Sequence, residues 1–316
     1  MYHNYSEIIA VAREFGPVTI SVAVAQDKEI LSAIKDAYDI GLAKAVLVGD
    51  AELITLLVDE VGLPKDIRII DEKDVTEAAF KASNLVRTGE AQVLMKGLLN
   101  SSTFLRAVLN KEFGLRSGKI LSHLAAFEIP GQTKLAFHTD GGMNISPTLE
   151  EKKRILVNAL EALNTMGIDK PNVAVLAANE QADNKMPVTM DCLALQQMFN
   201  ENSSLSCVIE GPVSMDVAAS ADAAHHKGIP SKIAGNVDLF LVPTIESGNM
   251  IGKTLVYYAK AKIGGIVLGA THPIVLCSRA DNAEAKLNSI SLACLIASKI
   301  ENSKTDCYCD KKAISQ

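Results

Sequence analysis

The stretch VLCSRADNAEAK, residues 275–286, carries an apolar run into a serine, an arginine and, two residues on, an aspartate. Arg279 offers a permanently charged planar fork that matches phosphate oxygens. Ser278 offers a hydroxyl that can donate to a developing oxyanion, and Asp281 a carboxylate close by in sequence. Other basic residues lie near run ends: Lys96 with Gly97 closes AQVLMKG (91–97), and Arg116 and Lys119 flank the start of KILSHLAAF (119–127). Open α/β sheets bind ligands beyond the carboxyl ends of their strands, so cations there point to a phosphate-bearing or otherwise anionic ligand. Arg116 precedes its run and fits that pattern less directly. Asp281 also opens an Asp-x-x-Glu pattern with Glu284, the spacing of a capping box for a helix over 281–300. An ordinary strand-to-helix connection and a reactive edge are therefore both open.

Other chemistries are less well served. SGNMIGKT (247–254) ends like a phosphate-binding loop but has Ser247 where the loop needs glycine freedom. What survives is an anion at a helix N-terminus with Lys253 nearby, beside the plainer reading of a glycine-rich cap and a solvated lysine. VAQDKEI stands where Gly-x-Gly-x-x-Gly would follow the first strand, which disfavours a classical dinucleotide fold. Asp222 and His226 have the i,i+4 spacing of two ligands on one helix face, a pair too common to define a metal centre. His123 and His138 lie inside strand-like runs and read as packed residues, and no Gly-x-Ser-x-Gly elbow supports hydrolase chemistry.

Composition narrows the classes further. At 316 residues and 48% hydrophobic, the chain is long enough for two cores. A net charge of −6 without long charged tracts gives no general nucleic-acid surface, while leaving room for a locally basic site. The six cysteines lack a disulfide-framework spacing, and several sit in apolar runs as small core residues of a reducing compartment. Cys307 and Cys309 follow the polar stretch ENSKTD and are expected in a frayed tail. The opening residues form a short amphipathic helix rather than a secretory signal. No run reaches the roughly 18 to 20 apolar residues of a membrane span, so a soluble cytoplasmic protein is expected.

Flat Val/Ile/Leu-rich runs predict strands over 18–25, 44–49, 67–70, 91–97, 119–127, 134–139, 172–178, 206–211, 238–243, 264–269 and 273–278. Helical-period segments over 27–41, 73–87, 149–166, 247–261 and 281–300 alternate with them, which predicts an α/β protein with parallel sheets. HTDGGMNISPT (138–148), with two glycines and a proline, marks a seam.

Five segments taken in order carry a resemblance: LMKGLLNSSTFLRAVL (94–109), TDGGMNISP (139–147), IEGPVSMDVA (209–218), LVPTIESGNMIGK (241–253) and PIVLCSRADNAEAKLNSI (273–290). Together they resemble the phosphate acetyltransferase and phosphate butyryltransferase family, with the last segment and IVLGATHP closer to the butyryl branch. The resemblance implies two parallel-sheet α/β domains like those of isocitrate and isopropylmalate dehydrogenases, with an interdomain cleft. Residues 1–138 plus 279–316 would form the first, discontinuous domain and 139–278 the second.

It further implies reversible transfer of a short acyl group between coenzyme A and inorganic phosphate, giving an acyl phosphate, in a homodimer or larger assembly. Acyl-CoA and phosphate would be the substrates, with no metal or redox cofactor and no covalent acyl-enzyme. In that reading Arg279 holds phosphate and Ser278 or backbone amides stabilise the carbonyl oxygen. Lys96 and Arg116 bind substrate, while Asp140, Glu246 and Asn249 shape the coenzyme A end. Acetyl-specific relatives carry a catalytic aspartate at a position that falls near Ala285 here, flanked by Glu284, so Asp281 and Glu284 are the candidate bases. A metal- and NAD-dependent dehydrogenase of the same fold and a non-catalytic acyl-CoA-binding protein are the competing readings.

Overall fold

In the computed structural model, which describes residues 1–202, 204–278 and 280–313 and leaves aside the side chains of 202 and 302–313, strands and capped helices alternate along the chain. The order begins α1 (Tyr5–Glu14), β1 (Val18–Ala23), α2 (Lys28–Asp39), β2 (Ala43–Gly49), α3 (Ala51–Val61), β3 (Arg68–Asp71), α4 (Val75–Arg87), β4 (Val93–Lys96) and α5 (Ser101–Val108). It continues with β5 (Ser122–Glu128), β6 (Ala136–Thr139), α6 (Leu149–Thr165), β7 (Asn172–Leu176), α7 (Pro187–Asn202), β8 (Val208–Val213), α8 (Met215–Ala219), α9 (Ala221–Lys227), β9 (Leu239–Leu241) and α10 (Ile245–Tyr257). It closes with β10 (Lys262–Leu268), β11 (Ile274–Val275) and α11 (Ala283–Ala313).

Short polar side chains explain where the helices start. Asn4, Asp27, Asp50, Asp74 and Asn100 each accept a backbone amide from the first turn of the helix that follows, as does Thr148 in a full capping box with Glu151. Each cap satisfies a donor the helix cannot, a contribution of about 1 kcal/mol.

The contacts divide the chain into two compact units: residues 4–119 with 264–316, and residues 1–3 with 120–263. The seams fall at 119/120 and 263/264, away from the expected 138/139 and 278/279. Strand pairing explains the shift, because β5 pairs with β6 and β6 with β9, while β11 pairs with β4 and β10.

In the unit containing the N-terminal helices the strands lie in the order β3-β2-β1-β4-β11-β10. All neighbours are parallel except β10 and β11. The chain moves outward from β1 to β2 and β3, then returns to lay β4 on the other side of β1, which makes the β1/β4 pair a topological switch point. In the other unit the order is β5-β6-β9-β7-β8, with β5 and β6 antiparallel and the rest parallel.

The expectation of purely parallel sheets is thus corrected to mixed ones. The links 129–135 and 269–273 are too short for a parallel crossover, which takes about a dozen residues. All four residues of β4 are buried, as are all three of β9, which accounts for their unbroken apolar character. Cys307 and Cys309 fall in α11 among the side chains outside the described residues. No described helix is long and apolar enough to cross a membrane.

Candidate active site

At the carboxyl edge of the first sheet, β11 runs parallel to β4 with Ile274 opposite Leu94 and Val275 opposite Met95. Lys96 and the segment after Val275 therefore leave the sheet side by side. Lys96 is only 7% exposed, and its Nζ donates to the Gly97 carbonyl at 3.3 Å. Gly97 is glycine for a steric reason: a Cβ there would lie 2.1 Å from the Val24 carbonyl oxygen. Val24 itself, at the end of β1, has φ 59°, a left-handed conformation that a β-branched residue adopts only under strain. Strain and close backbone approach thus coincide at the β1/β4 switch point.

Beyond β11 the chain closes a tight turn. The Asp281 carboxylate accepts the Ser278 amide at 2.8 Å, the Asp281 amide donates to the Ser278 carbonyl at 3.1 Å, and the Ala280 amide donates to the Ser278 hydroxyl at 3.3 Å. The helix then starts at Ala283, capped by Asn282, whose Oδ1 accepts the Ala285 amide at 2.9 Å. The expected capping box from Asp281 to Glu284 is therefore corrected. A cap must reach the amide three residues on, and Asn282 stands in that register while Asp281 is spent on the turn. Glu284 is exposed in the first turn of α11. Arg279 lies outside the described residues.

Lys286, one turn into α11, is only 4% exposed and donates its ammonium to the Asp281 carbonyl. Near it the Cys277 thiol is half-buried, and burial pushes it up to about 11. A hydrogen bond with Ser289 opposes that rise, Asp281 adds to it, and the charges of Lys286 and Lys96 pull the other way. A thiol held protonated in this way is a poor nucleophile at neutral pH. Arg116 is exposed and bridges Ala270 in a single antiparallel pair, with Thr271 donating to Leu115 beside it at 2.9 Å. It belongs to that bridge and to no strand's carboxyl end.

In the other unit, Asp140 is 3% exposed and organises the loop that follows β6. Its Oδ1 accepts the amides of Gly142 at 2.8 Å and Met143 at 2.9 Å, and its Oδ2 accepts the Asn144 side chain at 2.6 Å. The loop lies directly on the first turn of α10, where a Cβ on Gly248 would sit 2.6 Å from the Gly141 Cα. Glu246 and Asn249 stand exposed on that turn. The Glu246 carboxyl is held below the usual range, first by its own backbone amide and then by the Thr244 hydroxyl. Thr244 and Ser247 form a capping box, so most of SGNMIGKT is helix interior. Lys253 is thereby more than two turns from the N-terminus where an anion was expected beside it.

His138, under the same loop, is sandwiched between Phe127 and Phe240 at centroid distances of 5.0 and 4.6 Å, and burial lowers it to about 3. His226 bonds the Asp222 carbonyl through Nδ1 at 2.8 Å. Among the described residues no three of His, Cys, Asp and Glu gather as a metal-ligating group.

Residues 64–294 match the family described as "Phosphate acetyl/butaryl transferase". The chain belongs to this family. It is 45% identical over 298 residues to the phosphate butyryltransferase of Clostridium acetobutylicum, covering 94% of this chain and 99% of that one. It is 36% identical over 293 residues to the phosphate acetyltransferase of Thermotoga maritima, covering 92% and 99% of the two chains. The crystal structure of a branched-chain phosphotransacylase from Enterococcus faecalis V583 is similar with a TM-score of 0.80 at 32% identity, covering 89% of this chain and 99% of that one.

In this phosphate acetyl/butyryl transferase family member, Lys96, Ser278 and Asp281 come together at one sheet edge, and Asp140, Glu246 and Asn249 around one helix start. Sequence reasoning missed Lys286 and Asn282. The available signal for Lys286 was its helical spacing from Ser289 and Ile290, both buried on the same face of α11. For Asn282 it was the ordinary preference of asparagine for the position before a helix.

Proposed function

We propose that this protein is a phosphate acyltransferase that moves a short acyl group, butyryl or a branched relative, reversibly between coenzyme A and inorganic phosphate. The observation that carries the reading is the shared carboxyl edge of β4 and β11, where Lys96 and the Ser278–Asp281 turn stand side by side. In the acyl phosphate-forming direction a phosphate oxygen attacks the thioester carbonyl carbon, the carbon–sulfur bond breaks, and the coenzyme A thiolate leaves. In reverse, the thiol gives its proton to a carboxylate base and attacks the carbonyl carbon of the acyl phosphate, the carbon–oxygen bond to phosphate breaks, and inorganic phosphate leaves. Arg279 is assigned to the phosphate oxygens, since its fork pairs two of them at once. Ser278 is assigned to the carbonyl oxygen, where negative charge builds in the transition state. Asp281 is the base, its carboxylate held on the turn by the Ser278 amide.

Asp140 acts as a positioning residue that shapes the loop over α10, and the exposed Glu246 and Asn249 face the coenzyme A end. Transfer is direct, in keeping with the half-buried Cys277 thiol, which burial pushes up to about 11, and uses no metal or redox cofactor. The two units are read as two domains of the isocitrate and isopropylmalate dehydrogenase kind, in a cytoplasmic homodimer or larger assembly.

The test is release of free thiol from acetyl-, propionyl-, butyryl- and isobutyryl-CoA with and without phosphate. Phosphate-dependent release, fastest with butyryl- or isobutyryl-CoA, is expected, together with its loss in folded Arg279→Ala protein. No phosphate-dependent release from any of the four would overturn the function, and full activity in the variant would overturn the phosphate assignment.

A further inference from the structure

A buried ammonium normally faces a carboxylate, because a charge taken out of water without a partner costs several kcal/mol. Lys286 departs from that pattern. It is 4% exposed, and among the described residues its ammonium has one hydrogen-bond acceptor, the neutral carbonyl of Asp281. An ammonium has three protons to place. The second buried lysine at the same edge, Lys96, adds a like charge, so that two lysine charges and the single carboxylate of Asp281 act on the Cys277 sulfur between the end of β11 and the start of α11. The first turn of α11, with its amide dipoles, adds to the positive field at the same place.

We propose that Lys286 is a further phosphate-binding residue, whose ammonium is held in place by the Asp281 carbonyl and shares with Lys96 the charge of inorganic phosphate or of the acyl phosphate. The inference rests on the acyltransferase reading and adds to it a cation placed by the helix rather than by the strand. It also gives Asp281 a second function: its carboxylate holds Ser278 while its carbonyl holds Lys286, so the serine and the lysine are set by one residue.

The experiment compares wild type with Lys286→Met, which keeps the length of the side chain and removes the charge. Replacing an unpaired buried charge by an apolar group of similar volume is commonly neutral or stabilising, so the variant is expected to melt no lower than wild type in phosphate-free buffer. Its KM for phosphate should rise by at least about 10-fold, the loss expected for one charged hydrogen bond, while the KM for butyryl-CoA stays within about 2-fold. The increase in Tm that wild type shows with added inorganic phosphate should shrink by the same loss of affinity. Lys286→Arg should recover part of both.

An unchanged KM for phosphate together with an unchanged phosphate-induced Tm shift in Lys286→Met would overturn the proposal. So would a fall in stability with no change in phosphate affinity. Inactive wild type with every acyl-CoA would instead fail the acyltransferase reading, and the Tm shift with phosphate alone would still decide whether Lys286 binds the anion.

Discussion

The Asp281 carboxylate accepts the Ser278 amide at 2.8 Å, so the candidate base and the candidate oxyanion donor are fixed by one hydrogen bond. Asp281→Asn keeps an acceptor for that amide and removes the ability to take a proton. Its kcat for thiol-dependent breakdown of acyl phosphate is expected to fall by about 100-fold or more, with Tm unchanged. Steady-state kinetics at saturating coenzyme A check this, and a kcat near wild type would remove Asp281 from the base role.

Asn282 and Asp281 should separate cleanly. Asn282→Ala strips the cap from the Ala285 amide and is expected to lower stability by about 1 kcal/mol in urea unfolding, with Asn282→Asp recovering most of it. An unchanged urea midpoint for Asn282→Ala would show that another group caps α11.

Gly248 and Gly252 lie one turn apart on α10 and should respond differently to alanine. At Gly248 the new Cβ would meet the Gly141 Cα at 2.6 Å and the Val242 Cγ2 at 2.8 Å, so backbone must move. Gly248→Ala is expected to cost about 1 to 3 kcal/mol and to raise the KM for acyl-CoA by displacing the Asp140 loop. At Gly252 the contact is the Phe127 ring tip at 3.2 Å, and the gain in helix propensity, about 1 kcal/mol, offsets much of the crowding. Paired urea denaturation measures the contrast, and equal effects would refute it.

His138 gives a pH dependence with a defined sign. In the folded protein burial lowers it from 6.5 to about 3, and its Nδ1 has no hydrogen-bond partner among the described residues. Above pH 6.5 both states are neutral here and stability is unaffected. As pH falls below that value the unfolded chain takes a proton the folded one refuses, so stability declines by up to about 1.4 kcal/mol per pH unit. The decline ends where the folded histidine itself titrates, near 3. His138→Phe, which keeps an aromatic ring between Phe127 and Phe240, should flatten this share of the acid limb. Urea midpoints from pH 7 to 4.5 test it, and parallel curves for the two proteins would rule it out.

The sequence by itself determined the strands and part of the helices, while α3, α5, α7, α8 and α9 were not read from it. Every expected strand run contains a strand, because a strand covered on both faces has to be apolar without interruption, and the five expected helices lie where apolar spacing follows a short polar residue. The antiparallel pairs β5/β6 and β10/β11 were misread as parallel from apolar content, although the links 129–135 and 269–273 were too short for a crossover. The residues around Ser278 stood out because serine, arginine and aspartate rarely end an apolar run without a reason in the fold.

Only the tertiary structure decided which residue caps α11. A cap and a turn are both satisfied by a short carboxyl or amide side chain, and a shift of one residue puts Asp281 on the turn and Asn282 at the cap. It also decided that Asp140 is used up by its own loop and that the glycines of SGNMIGKT serve helix packing. Lys286 was least visible of all: a lysine in a helix is ordinarily solvated, and its burial accompanies the packing of α11 on β11, which local sequence does not encode.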